Sequence, residues 1–285
     1  VSAEDREAAD RARFEAWLEH AEQSGDIPAI PAATVVVLRD TETGPQTLML
    51  RRNSKIAFGG MWVFPGGRID DEDYETAESV SGDSGGSAPG ADVSGRDVPG
   101  GDAITPGGDA ITPGGDVIAA ARIAAVREAA EEAQVSLDAG SLVLFAHWIP
   151  PPIAPKRFAT WFFAGQVHRD HAVIDDGEIV DMEWTTPAEC LERHHNGEIE
   201  LVPPTWVTLH TLRDFPTVGD ALAALAVRPP RHHATKLGRG GPDQVVMWHG
   251  DAGYASGDVD TPGPRHRLTM AASGYVYEDS GAADG

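Results

Sequence analysis

Residues 117–137 read VIAAARIAAVREAAEEAQVSL, and the meaning of this stretch decides how the rest of the chain is read. It contains no Gly or Pro and is built largely from Ala, Arg, Glu and Leu, the strongest helix formers, so it predicts an α-helix. Within it, Arg127-Glu128-Ala129-Ala130-Glu131-Glu132 spaces three carboxylates by i, i+3 and i+4. They share one helical face with Cβ atoms about 5–6 Å apart, and like charges so placed repel one another. Taken alone, the cluster is either a solvated acidic face or a site for a hard cation such as Mg2+ or Mn2+, whose preference for oxygen ligands it meets. Arg127 reaches Glu131 at i+4 and can hold it by a charge-assisted hydrogen bond.

Upstream of this helix, residues 33–38 (ATVVVL) and 46–51 (QTLMLR) predict strands joined by an acidic, Gly-containing turn at 40–45. Residues 61–64 (MWVF) run directly into Pro65-Gly66-Gly67, where an apolar strand end meets residues that permit a tight turn and close backbone approach. Residues 2–25 place Phe14, Trp17, Leu18 and Ala21 at helical spacing before Gly25, which predicts an amphipathic N-terminal helix. Downstream, strands are expected at 141–148, 158–167 and 178–184. Helices are expected after the Thr186 cap to His194, over 204–215 and over 218–227. Residues 244–248 and 266–270 predict the strands of a small β appendage. Strands alternating with substantial helices indicate an α/β fold.

Residues 70–116 differ in character: Gly, Ser, Pro and Asp dominate, and twelve acids face a single base, Arg96. Such a segment cannot bury enough apolar surface to fold alone. It contains PGGDAIT from Pro99, PGGDAIT from Pro106 and PGGDVIA from Pro113. Pro and Gly at this frequency break helices, which excludes a coiled coil and leaves two readings, replication slippage in a tolerated surface loop, which is favoured, and a binding element.

The 285 residues allow about two domains, and no stretch approaches the roughly 20 apolar residues of a spanning helix. The charged N-terminal stretch is unlike a signal peptide. The single cysteine, Cys190, permits no internal disulfide and no Cys-rich zinc site, which fits a reducing cytoplasm. A net charge of -23 opposes nucleic-acid binding, whose affinity rests on phosphate neutralisation. His194-His195 and His232-His233 lack further ligands at zinc spacing and are expected at the surface. Trp148, Trp161, Phe162 and Phe163 could stack a base, but the alternation over 158–167 favours a strand with one face in the core.

A strand ending in Phe-Pro-Gly-Gly, then a loop, then a helix bearing R-E-x-x-E-E resembles the Nudix hydrolase signature G-x5-E-x7-R-E-U-x-E-E-x-G-U, where U is a bulky aliphatic residue. Gly67, Arg127, Glu128, Ala129, Glu131, Glu132 and Val135 occupy the matching positions. The match departs in three places. Gly67 and Arg127 are 60 residues apart where the signature has 14, so 46 are inserted; Asp73 stands at the first glutamate; Gln134 stands at the second glycine. The insertion, the lead-in L-R-R-x5-F-G-G-M-W-V-F-P-G-G and the later K-R-F-A-T-W-F-F and D-G-E-I-V-D-M-E-W are similar to the peroxisomal coenzyme A diphosphatase branch and its bacterial relatives. That branch carries L-L-T-x-R-S-x3-R-x3-G-x3-F-P-G-G; here Arg51, Gly60 and residues 64–67 fit, whereas Arg52 and Ile56 replace its serine and second arginine.

The resemblance implies an α/β/α sandwich with a mixed sheet over residues 29–228, preceded by an N-terminal helix (1–28), interrupted at about 74–116 and followed by a β extension (229–285). It implies cleavage of a nucleoside diphosphate linked to another group, with coenzyme A or its esters among the candidates, by attack of water on phosphorus; the alternative is a catalytically silent Nudix-like binding module. Mg2+ or Mn2+ would be held by Glu128, Glu131, Glu132 and the Gly67 backbone, with Arg127 beside them. Gly66, Arg51, Arg52, Arg68, Lys156 and Arg157 are the candidates to bind phosphate, Arg being suited to bidentate contact. Glu178, or Asp181 nearby, is the candidate auxiliary base. The expected partner is a small-molecule nucleotide diphosphate, with no nucleic acid and no membrane; a homodimer is compatible with the sequence.

Overall fold

The computed structural model describes residues 28–53, 60–83, 115–152, 157–167 and 179–281. The expected N-terminal helix lies outside them. Strand β1 (Ile30–Thr41) and β2 (Gly44–Arg52) form the anticipated hairpin, with Gly44 at φ 115° closing the turn. β1 then pairs along its first half with the short β4 (Gly66–Arg68), and Val35 donates to the Pro65 carbonyl where the chain crosses from β3 (Trp62–Val63). With β5 (Val143–Ile149), β6 (Phe158–Gln166), β7 (Ile179–Thr185) and β8 (Arg231–Ala234) these strands make an eight-stranded mixed sheet. Its order is β3-β2-β1-β6-β5-β8, with β4 on β1 and β7 on β2. β1 and β6 run parallel, as do β5 and β8.

Both faces of the sheet are covered, which is why β1 reads as an unbroken apolar run. Val35, Val37, Leu48, Leu50, Trp161 and Phe163 face helix α1 (Asp71–Asp83) and helix α2 (Gly115–Ala133). Val36, Leu38, Met49, Trp148 and Phe162 face the opposite way, toward α4 (Pro203–Leu212) and α5 (Val218–Ala226). Helix α3 (Pro187–His195) is closed at its start by a reciprocal capping box between Thr186 and Glu189, as its sequence predicts. α2 lies on the sheet through Ala120, Ala121, Ala124, Ala125, Ala129 and Ala133, all fully buried. Alanine lets the helix backbone approach the strands closely, so the glutamates on its flank can reach strand backbone.

Two expectations are corrected. The stretch from 70 onward does not begin as a loop: residues 71–83 are helical, because α1 packs against α2 and buries Asp73 and Ala77. Residues 231–234, placed in the C-terminal extension on sequence, form β8 on the edge of the main sheet. The rest of the extension makes an antiparallel sheet of β9 (Lys236–Leu237), β10 (Gln244–Met247), β11 (His266–Ala271) and β12 (Gly274–Asp279). This sheet packs on the main domain, since Val246, Trp248, Leu268, Tyr275 and Tyr277 join the core under α4. No helix among the described residues is long and apolar enough to cross a membrane.

A buried ion pair organises the small sheet. Arg267 clamps Asp251 through Nε and Nη2 at 2.7 and 2.6 Å, and Asp251 also accepts the backbone N–H of Gly253 and His266. Both side chains are enclosed, so removing one partner leaves a charge uncompensated. Asp251→Ala is expected to lower stability by about 3–5 kcal/mol, measured by urea unfolding; a loss below 1 kcal/mol would show that water reaches the pair.

Candidate metal centre

The carboxylates of α2 meet the loop through backbone. Gly66 donates its N–H to Glu132 Oε2 at 2.9 Å. A methyl group on Gly67 would stand 2.2 Å from Glu128 Oε1, and one on Gly66 would stand 2.5 Å from the Ala33 carbonyl. Both glycines are therefore required by contact, Gly67 because a carboxylate rests against its Cα.

Arg127 ties the cluster together. Its Nη1 donates to Glu128 Oε1 at 2.9 Å and to Glu131 Oε2 at 3.1 Å, and its Nη2 donates to the Arg68 carbonyl at 3.1 Å. Its Nε and Nη2 grip Asp73 at 3.1 and 2.9 Å. Asp73 is 2% exposed and also accepts the Asp70 N–H, so the first turn of α1 is fastened to α2. The bond to Asp73, with the neighbouring Glu128, holds the guanidinium pKa above its ordinary value. Asp73 is the residue that sequence reasoning left out of the site. Counting the signature's x5 strictly from Gly67 lands on it, and that count was its only signal.

Burial pushes the Glu128 carboxyl above the usual carboxylate range, against the pull of Arg127, and Glu131 and Asp70 push the same way. Glu131, 58% exposed, keeps its freedom to move. The donor set is all hard oxygen, which fits Mg2+ or Mn2+. In this conformation, however, no three His, Cys, Asp or Glu side chains among the described residues stand close enough to share an ion. The guanidinium of Arg127 instead bonds Glu128 and Glu131.

The other expected site residues lie around this cluster. Arg68 is exposed, 3.9 Å from Asp70. Arg51 and Arg52 end β2, where Arg51 lies between Trp62 and Asp181 in neighbouring strands. Arg157 precedes β6, and its carbonyl accepts the Ile30 N–H at the same end of the sheet as Arg68. Lys156 and Glu178 lie outside the described residues. Trp148, Trp161, Phe162 and Phe163 are core residues. Cys190 is buried, its thiol pushed up to about 12 by burial, which leaves no nucleophile there. The surface reading of the histidine pairs fails at His233, which is 3% exposed and stacked on Trp148 because β8 is inside the fold rather than appended to it.

Residues 101–204 match the NUDIX domain family. The matched stretch marks a NUDIX domain within the chain. Its fold is similar to that of a NUDIX hydrolase from Alicyclobacillus acidocaldarius at 24% identity and a TM-score of 0.53, covering 71% of this chain and 99% of the other. A shorter similarity, 31% identity over 81 residues, links it to the acyl-coenzyme A diphosphatase NUDT19 of Xenopus laevis. That match covers 27% of this chain, which thus spans only 21% of the relative's length. The Nudix signature's second glycine has a structural explanation here: Gln134, in its place, ends α2 at φ 53°, while Gln134 and Val135 donate to the carbonyls of Ala130 and Ala129.

Two substitutions test this geometry. Gly67→Ala must displace Glu128 and is expected to cost about 1–3 kcal/mol in urea unfolding; an unchanged midpoint would show that Glu128 does not rest on Gly67. Gln134→Gly should stabilise by about 0.5–1 kcal/mol, since the left-handed conformation penalises a side chain more than glycine's extra entropy offsets. A destabilised variant would contradict the assigned helix end.

Proposed function

We propose that this chain is a metal-dependent diphosphatase of the Nudix type, which cleaves a nucleoside diphosphate linked to another group by attack of water on phosphorus. The observation that carries the reading is the seating of Glu128 and Glu132 against the Gly66–Gly67 backbone, with Arg127 holding the third acid, Glu131. A solvated acidic face would need no such attachment. Glu128, Glu131, Glu132 and the Gly67 carbonyl would hold Mg2+ or Mn2+. When bound, such an ion neutralises diphosphate oxygens and lowers the pKa of a coordinated water.

The chain's own residues supply position. Asp73 aims Arg127, and Arg127 fixes Glu128 so that its carboxylate stays at the loop. Glu131, held only at the exposed end of this network, can turn from Arg127 toward a cation. Arg51, Arg52, Arg68, Lys156 and Arg157 would take phosphate oxygens, Arg by bidentate contact, and Glu178 would act as auxiliary base. The likeness to an acyl-coenzyme A diphosphatase supports coenzyme A esters as the first substrates to try. The replacement of two residues of that branch's upstream motif, at Arg52 and Ile56, keeps NADH, nucleotide sugars and dinucleoside polyphosphates on the same panel. Such anions meet an acidic protein through the divalent ions between them.

One observation favours the second reading, a silent nucleotide-binding module: Arg127 stands in for a cation, and no three acids among the described residues converge. The two readings part on metal. Mn2+ titrated into the whole chain and followed by electron paramagnetic resonance should show saturable binding that Glu131→Gln and Glu132→Gln each weaken at least tenfold. The same variants should lose most hydrolysis on the panel while keeping parental circular dichroism. Wild-type turnover by either variant at saturating Mg2+ would remove the metal assignment; tight nucleotide binding without turnover or metal would establish the silent module.

A further inference from the structure

Strand β8 is where the two sheets meet, and it is flanked on both faces by imidazoles. On the α2 side, His232 Nδ1 lies 3.3 Å from His147 Nδ1, and the His147 ring is stacked on Trp161 at 3.8 Å. On the other side, His233 is stacked on Trp148 at 3.8 Å and meets the rings of Trp248 and His266 at 5.2 and 5.4 Å. Arg231, at the start of β8, reaches Tyr277 and Asp279 on β12. β8 is thus joined to the main sheet by its ladder with β5 and to the small sheet by Arg231 and His233.

The geometry opposes charge on His147, His233 and His266, and it bars a proton from both facing Nδ1 atoms of His147 and His232. Two Nδ1 atoms 3.3 Å apart need one N–H and one lone pair, so both imidazoles cannot carry a proton there. His266 Nδ1 lies 2.7 Å from the His249 carbonyl and must donate to it, which leaves Nε2 as a bare lone pair; that atom is buried and without a hydrogen-bond partner among the described residues. His233 Nδ1 and His147 Nε2 are buried in the same condition. Burial lowers all four rings, His147 to about 4 and His233 to about 2. The charged and titratable neighbours do little to reverse this. His233 faces His266, Arg231 and His232 against Asp279 alone. His147 faces His232, which in turn faces His249. His266 faces Arg231 as well as Asp279 and Asp251, and both acids are already bonded to arginine.

We propose that β8 is a proton-operated latch: in mild acid, protonation of His147, His232, His233 and His266 detaches it from β5 and frees the C-terminal sheet, while the main sheet stays folded. The sign follows from linkage. Each ring binds its proton less tightly when closed than when open, where it titrates near 6.5, so stability is full above pH 6.5 and falls as pH drops below it. Each imidazole then raises the opening constant by about tenfold per pH unit, until the pH reaches its closed-state pKa.

Hydrogen exchange of the full chain, followed by mass spectrometry from pH 7.5 to 4.5 and corrected for intrinsic rates, tests the latch. Residues 244–279 should lose protection before residues 158–166, with the logarithm of the opening constant rising by about two per pH unit. His147→Phe, which keeps the stack on Trp161, and His233→Phe should each reduce that slope by about one. A wild-type slope of one or less, or loss of protection in both sheets at the same pH, overturns the proposal whether or not the variants fold.

Discussion

The site depends on one close approach, that of helix α2 to the backbone of Gly66 and Gly67. A side chain on either glycine, or a bulky residue in the alanine stripe of α2, would hold helix and loop apart and leave Glu128 and Glu132 pointing into solvent. The small residues on both partners are therefore a single device. Sheet, helix and loop meet there because β1 offers its first half to β4 on one side and to β6 on the other. Ala33 pairs with both Gly67 and Trp161, so the loop is an extension of the central strand pair rather than an appendage to it.

Around that contact the electrostatics are deliberately unbalanced. Asp70, Asp73, Glu128 and Glu131 surround one guanidinium, and the desolvated Glu128 bears the consequence in its raised pKa. Asp73 is matched by Arg127 in a two-point bond, which leaves the remaining acids undercompensated. The deficit sits at the loop, where Glu128 rests on Gly67, rather than along the exposed helix.

Much of this was legible in the residues. The run at 117–137 is helical to Ala133, beginning two residues earlier and ending four earlier than its composition suggests, the β-branched runs are strands, and Thr186 caps its helix, because each is decided by neighbours in sequence. The helical character of residues 71–83 was not legible, since their composition favours loop; their order comes from α2 and from Arg127, 54 residues away from Asp73. The place of β8 was equally hidden. Four residues with two histidines carry no strand signal, and only pairing with β5 and stacking on Trp148 make them one. The three glutamates of α2 could be named from their spacing, but spacing on a helix says nothing about which way a carboxylate turns when an arginine is within reach.

The clasp between Asp73 and Arg127 has a consequence for heredity. Repeated seven-residue units such as those from Pro99 gain and lose copies readily when DNA is copied, and each event changes chain length between the two halves of the signature. The first turn of α1 and the last turns of α2 are fastened to each other by side chains on either side of the repeats. A change in copy number therefore lengthens or shortens the chain between Asp73 and Arg127 without removing either partner of the clasp.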